Sequence, residues 1–187
     1  MRVLVACEFS GIVRDAFLKR GHDAMSCDLL PTLSTGPHYQ GNALDILDDG
    51  WDLMIAHPPC TYLCNSGVRW LHTQDGRMEK MIEAALFFKE LLYSRIPMIA
   101  VENPIMHKYG KHIIERGLDQ IVQPWQFGHS ETKATCLWLK NLPKLEPTNI
   151  VQGREARIHK MAPSKDRSLK RSITYQGIAT AMAEQWG

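Results

Sequence analysis

The 187 residues are 44% hydrophobic and 22% charged, the balance of an ordinary globular chain, which argues against a disordered, fibrous or low-complexity protein. That length suits a single domain spanning 1–187, large enough to support its own core. A net charge of +2 names no partner by itself. Apolar runs such as Met54–Ala56 and Met98–Val101 fall far short of the roughly 20 residues that cross a bilayer, so no membrane association is expected.

Met1 leads straight into Arg2-Val3-Leu4-Val5-Ala6, a core strand pattern rather than a basic, apolar and cleavable leader, which predicts a cytoplasmic protein. The five cysteines (Cys7, Cys27, Cys60, Cys64, Cys136) are odd in number and include no C-x-x-C pair. Disulfide scaffolding and a metal site are therefore not expected, and one reduced thiol is free to serve as a nucleophile.

Arg2–Cys7 reads as a strand running into Glu8-Phe9-Ser10-Gly11, after which Ile12, Val13, Ala16, Phe17 and Leu18 recur at helical spacing up to Gly21. Asp23–Cys27 is a second strand ending on Asp28, followed by a loop over Leu29–Tyr39 with Pro31, Gly36 and Pro37. A short third strand or edge is predicted around Gly41–Ile46, and Trp51–Ala56 is a buried strand that exits through His57-Pro58-Pro59-Cys60. Gly76–Tyr93 places Met81, Ala84, Ala85, Phe88, Leu91 and Leu92 on one helical face, and Pro97–Val101 is a strand stopped by Glu102-Asn103-Pro104. Ile113–Leu118 closes a further helix, Gln120–Phe127 and Thr135–Leu139 are late strands, and Tyr175–Trp186 is a terminal helix. Alternating strands and helices predict an α/β, Rossmann-like domain: a mostly parallel sheet with helices on both faces and a ligand crevice beyond the carboxyl ends of the strands. Phe9–Gly11, Asp28, His57–Cys60 and Glu102–Pro104 all fall at that edge.

Two consecutive prolines fix the chain before Cys60 and would present its thiol in one orientation; equally, they end a strand and leave Cys60 a small packed hydrophobe. Glu102-Asn103 follows what should be the neighbouring strand, so a carboxyl and a thiol would share one cleft. A glutamate there is either solvated or, buried beside a reacting ring, an acid. Gly11 lets backbone approach a ligand and the helix amides after it favour an anionic group. Asp28 stands where nucleotide-binding folds place an acid for ribose hydroxyls, a position that a helix cap or a surface charge also fills.

In order, Phe9-Ser10-Gly11, Asp28, Gly41-Asn42, Pro58-Pro59-Cys60, Glu102-Asn103-Pro104, Glu131-Thr132-Lys133-Ala134-Thr135 and Tyr175-Gln176-Gly177-Ile178-Ala179 resemble the successive motifs of the DNA cytosine-C5 methyltransferase family. The resemblance implies S-adenosylmethionine as cofactor, held by Phe9, Ser10, Gly11, Asp28, Asn42, Pro58 and Gly177. It implies Cys60, Glu102, Asn103 and Lys133 as catalytic residues: Cys60 adds to C6 of cytosine, Glu102 protonates N3, and C5 takes the methyl group. Against the family pattern, Val13 replaces a glycine, Asn42 an aspartate, and Lys133 and Thr135 two arginines. His57 and Arg69 are candidate neighbours for lowering the thiol's pKa. Cys64 is a second thiol in the cleft or a packed residue, and Trp70, Trp125 and Trp138 receive no role.

Where the family carries a target-recognition region, this chain has only a short segment, 141–173. Within it Val151–Ser172 carries seven cations against Glu155 and Asp166, a local charge of +5 that leaves −3 on the rest. Such a stretch would contact phosphates without reading bases, or simply be solvated. The partners expected are DNA, single-stranded or duplex, or a free pyrimidine nucleotide, with a separate recognition chain as a further option. The competing function is a catalytically silent protein that binds a nucleotide or the cofactor in the same cleft.

Overall fold

The computed structural model describes residues 1–187. Strands β1 (Arg2–Ala6), β2 (Asp23–Asp28), β3 (His38–Gln40), β4 (Leu53–Ala56), β5 (Met98–Asn103), β6 (Gln120–Val122) and β7 (Thr135–Lys140) form one sheet in the order β3-β2-β1-β4-β5-β7-β6. Strands β3 to β5 of that order run parallel; β7 is antiparallel to both β5 and β6.

Side-chain alternation in the central strands explains why both faces are covered. Leu4, Ala6, Met54, Ala56, Ile99 and Val101 point to one face, where α2 (Arg77–Leu92) and α3 (Lys108–Ile114) add Met81, Ala85, Phe88, Leu91 and Ile114. Val3, Val5, Leu53, Ile55 and Ala100 point to the other, against α1 (Ile12–Lys19) and α6 (Gln176–Gln185), which supply Val13, Phe17, Ile178, Ala179 and Met182. Strands apolar on both faces are buried on both, hence their unbroken hydrophobic runs. No helix is long and apolar enough to cross a membrane.

Several boundaries differ from the sequence reading, each for a local reason. The third strand is His38–Gln40, beginning within the predicted loop, while Gly41–Ile46 is a turn leading into a 3₁₀ segment, Ala43–Ile46, capped by the Asn42 side chain accepting from the Leu44 amide at 3.1 Å. Strand β6 stops at Val122 because Pro124 opens a 3₁₀ turn, Pro124–Gln126. The helix placed at Ile113–Leu118 is Lys108–Ile114, started by His107, whose ring accepts from the Gly110 amide at 3.2 Å, and ended by Glu115 in the left-handed region (φ 59°). Strand β5 continues through Glu102 and Asn103, which pair with Leu137 and Cys136 of β7. Both polar residues are therefore set by a ladder rather than by a loop.

Candidate active site

The sheet order reverses direction at β1, which has β2 on one side and β4 on the other. In open α/β sheets the crevice at such a switch point, beyond the carboxyl ends of the strands, is where ligands bind. Here the ends of β1 and β4 remain tied past the strands by the His57 amide donating to the Ala6 carbonyl at 2.9 Å. Pro58 is buried, and its carbonyl accepts from Asn103 Nδ2 at 3.0 Å. That bond, made by a side chain only 1% exposed, links the diproline turn to the end of β5 and fixes where Cys60 emerges. The chain after Cys60 is clamped from its other side: the His107 amide donates to the Leu63 carbonyl at 3.0 Å, and its ring lies 2.8 Å from the Tyr62 carbonyl.

Glu102 and His57 meet across the strand ends, Oε2 to Nδ1 at 2.9 Å, with side chains 12% and 8% exposed. Burial works to raise the Glu102 pKa, but the hydrogen bond from His57 and the charges of Lys133 and His57 outweigh it and hold the carboxyl below its usual range. Two polar atoms in this cluster have no partner within the protein, His57 Nε2 and Asn103 Oδ1. Buried groups of this kind are normally satisfied, so they mark a place where a polar ligand would complete the network. The charge of Lys133 acts on both Glu102 and Cys60. The structure thus gathers Cys60, Glu102, Asn103 and Lys133, and adds His57, which sequence reasoning had treated only as a neighbour of the thiol.

Cys64 also belongs to the cleft. Its amide donates to the Cys60 carbonyl at 3.0 Å, so the two cysteines share one turn. Cys64 is the extended N-cap (φ −79°, ψ 150°) of a 3₁₀ segment, Asn65–His72, and its sulfur lies 3.0 Å from Ser66 Oγ. A hydrogen bond from Cys60 lowers the Cys64 pKa first and foremost; burial opposes, while the Ser66 hydroxyl and the Ser66 and Gly67 amides add to the lowering. Cys60 is driven the other way by its hydrogen bond to Cys64, burial and the negative charges of Cys64 and Glu102, with Lys133 opposing.

On the cofactor side, the amides of α1 are not left for an anionic ligand, as the sequence suggested. The buried Glu8 carboxylate already accepts from Val13 N at 2.7 Å, Arg14 N at 3.2 Å and Ser10 Oγ at 3.1 Å, capping the helix from within. No basic side chain pairs with Glu8; its partners are the helix amides and the Ser10 hydroxyl. Gly11 is required twice over: its φ is +77°, and a Cβ there would lie 2.2 Å from Ser34 Oγ. Ser34 is held by Arg14, a fully buried guanidinium that binds Asp15, Ser26, Thr32, Ser34, Thr35 and Pro37 and thereby fastens the loop after β2 over the glycine turn. Phe9 and Ser10 are buried in the same turn. Asp28 uses one oxygen to accept from Leu30 N at 2.9 Å. Asn42 lies at the end of the adjoining β3, engaged as the cap described above. Gly177 stands apart from this turn: its amide donates to His129 Nε2 at 3.0 Å, and a Cβ would lie 1.8 Å from the Phe127 carbonyl oxygen, so close packing accounts for the glycine.

The basic segment is partly structured by α4 (Arg157–Lys160) and α5 (Arg167–Ser172), the latter with no buried residue. It is pinned near Lys133: Thr132 N donates to the Glu155 carbonyl at 2.8 Å, and Glu131 accepts from Arg157 at 2.9 Å and from the Tyr175 hydroxyl at 2.6 Å. Arg154 lies over the Trp125 ring at 3.8 Å. Arg154, Lys160, Lys165 and Lys170 remain exposed.

No protein-family model matches the chain. No curated protein matches it either. Among solved structures it is similar to a protein described as a DNA modification methyltransferase encoded within an Escherichia coli prophage, at a TM-score of 0.50, with 15% identity over 87% of this chain and 55% of that one. It is likewise similar to a methyltransferase of Entamoeba histolytica, at a TM-score of 0.50, with 14% identity over 84% of this chain and 58% of that one. The chain therefore spans little more than half the length of these structures. At such identities the likeness is one of architecture, and it establishes an α/β, Rossmann-like fold shared with methyltransferases.

Proposed function

We propose that this protein is an S-adenosylmethionine-dependent methyltransferase acting at C5 of cytosine in DNA, with Cys60 as nucleophile. The observation that carries the reading is the convergence of a fixed thiol, a paired carboxyl, a cation and an unpartnered amide oxygen at one strand-end crevice: Cys60, Glu102, Lys133 and Asn103. The two solved structures described above are methyltransferases by description, and one is described as a DNA modification enzyme.

The chemistry follows from the residues. An unactivated C5 is a poor nucleophile until a thiolate adds to C6 and pushes electron density across the ring, and cysteine both attacks and leaves well. The His57–Glu102 pair holds the proton that N3 takes up as C6 is attacked, while Asn103 fixes the diproline turn and offers Oδ1 to the ring substituents. Lys133 balances the negative charge that accumulates beside Cys60 and Glu102. Loss of the C5 proton and departure of Cys60 restore the double bond.

S-adenosylmethionine supplies the methyl group. The residues present fit it: Asp28 has an oxygen left for ribose hydroxyls beside Phe9, Ser10, Gly11, Asn42 and Pro58. The exposed cations of 151–172 suit phosphates, and a segment this short suits single strands, where no base must be flipped from a duplex. The reading includes a chain folded as one domain, 1–187. Incubation with methyl-deuterated cofactor and cytosine-containing oligonucleotides, followed by nucleoside mass spectrometry, tests it. Deuterated 5-methylcytosine is expected, most of it from single strands; its absence from single strands, duplexes and free nucleotides alike would leave only the binding protein.

A further inference from the structure

From Leu53 to Gln74, and again from Asn103 to Ile114, the chain contains no aspartate or glutamate. The two stretches meet beside the crevice. Cys64 pairs with Met106 in an isolated antiparallel bridge, the Asn65 amide donates to the Ile105 carbonyl at 3.3 Å, and His72 Nε2 lies 3.3 Å from the Tyr109 hydroxyl. The 3₁₀ segment Asn65–His72 and the start of α3 therefore form one wall, seated on the buried Leu63, Leu71 and Met106. Arg69, His72, Lys108, Lys111 and His112 are exposed on it, and none of Arg69, Lys108 and Lys111 has an acidic partner. The acids that follow the two stretches are Asp75 and Glu115, and Glu115 is already paired with Lys89 at 2.6 Å.

Aromatic rings alternate with these cations. The Arg69 guanidinium lies over the Trp70 ring at 4.4 Å, Lys108 Nζ over Tyr109 at 5.1 Å, and the Arg77 guanidinium over Tyr62 at 5.0 Å. Trp70, 37% accessible, is the one tryptophan of five that is exposed. Tyr109 and Lys108 also border a cleft of 440 Å³ between α2 and α3, floored by Met78, Met81 and Ile82. Flat rings among unpaired cations suit a ligand that offers flat unpaired rings and regularly spaced anions, which is a single-stranded nucleic acid. In a duplex the base faces are stacked on one another and reach such a ring only after unstacking.

We propose that this wall is a second nucleic-acid surface, selective for single-stranded DNA, in which Trp70 stacks on an unpaired base and Arg69, Lys108 and Lys111 hold the phosphates beside it. The proposal rests on the reading of the crevice as a DNA-modifying site and deepens it. Leu63, Leu71 and Met106 pack in the core on the α2 face of the sheet, whereas Phe127, which bridges to Asn149 at the start of the basic stretch, packs on the α1 and α6 face. A strand held on this wall and on the exposed cations of 151–172 thus crosses the strand ends that carry Cys60 and Glu102. Stacking and phosphate contacts need no particular sequence, so affinity follows strand state.

The test is fluorescence anisotropy with labelled oligothymidine, which contains no cytosine, and with a duplex of mixed sequence. The proteins are wild type, Trp70→Ala, Trp70→Phe and the double variant Lys108→Ala with Lys111→Ala. Wild type should favour the single strand. Trp70→Ala should weaken its affinity for oligothymidine about 10-fold, within the range of one lost base–aromatic stack, and Trp70→Phe should keep most of it. The double lysine variant should lower the slope of log affinity against log salt by about 1.4, the contribution of two single-strand phosphate contacts. All three side chains are exposed, and equal Tm values keep misfolding out of the comparison. No binding of oligothymidine by wild type, or a Trp70→Ala protein that binds it as wild type does, would overturn the proposal. So would an equal weakening toward the duplex, in which the ring meets no unpaired base. Modification of cytosine is scored separately. Formation of 5-methylcytosine by a protein whose binding is indifferent to Trp70→Ala would keep the reaction and remove the wall; the expected binding pattern with neither 5-methylcytosine nor a Cys60 adduct would keep the wall and remove the reaction.

Discussion

Replacing His57 with leucine removes the one hydrogen-bond donor to a carboxylate that is only 12% exposed. Breaking such a pair typically costs 3–5 kcal/mol, because the surviving charge is stranded away from water; with Lys133 still nearby we expect the lower end, about 3 kcal/mol at neutral pH. For a chain of this size that corresponds to a fall in Tm of about 6–12 °C. The effect has a signed pH dependence. In the wild type the Glu102 pKa lies below its reference value of 4.5, so its contribution to stability is present above that value and fades as the pH falls through the folded one. In His57→Leu burial dominates and the pKa rises, so the carboxyl is protonated sooner and the penalty shrinks on acidification. Urea denaturation of both proteins at neutral and mildly acidic pH measures the difference. A loss under about 0.5 kcal/mol at neutral pH, the range of neutral surface changes, or one that grows with acid, would refute the reasoning.

Three further outcomes follow from other parts of the cleft. Asp28→Ala should weaken S-adenosylmethionine binding about tenfold by removing a charged hydrogen-bond acceptor, read as a smaller ligand-induced rise in Tm. Gly177→Ala should destabilise the fold by about 2 kcal/mol or more, since the added carbon lies 1.8 Å from the Phe127 carbonyl oxygen and backbone must move, a loss that differential scanning fluorimetry would register. Changing Arg154 and Lys160 together to alanine should weaken DNA binding uniformly across sequences and reduce the slope of log affinity against log salt by about 1.4–1.8, as measured by fluorescence anisotropy.

Much of the crevice was readable from local pattern. Hydrophobic runs closed by Phe9–Gly11, Asp28, Pro58–Cys60 and Glu102–Asn103 identify strand ends, and parallel topology brings strand ends together, so the neighbourhood of Cys60 and Glu102 needed no coordinates. What escaped depends on register and on chain reversal. The reach of His57 to Glu102 exists because β4 and β5 pair with Ala56 opposite Val101, a one-residue alignment invisible in either segment alone. Thr135–Leu139 reads as a strand, but nothing within it says that it inserts antiparallel between β5 and β6. Glu8 is only one residue of the turn in the sequence, and the turn of the chain lays it on the amides of Val13 and Arg14. Cys64 was visible by its spacing from Cys60; the approach of its sulfur to Ser66 Oγ at 3.0 Å was not.

Covalent chemistry at Cys60 is the centre of the account, and 5-fluorocytosine addresses it directly, because fluorine at C5 blocks the proton loss that releases the enzyme. Incubated with S-adenosylmethionine and single-stranded DNA carrying that base, the protein should acquire a mass-shifted adduct mapping to Cys60, which disappears in Cys60→Ser. Cofactor and DNA binding with no adduct on any cysteine would contradict it.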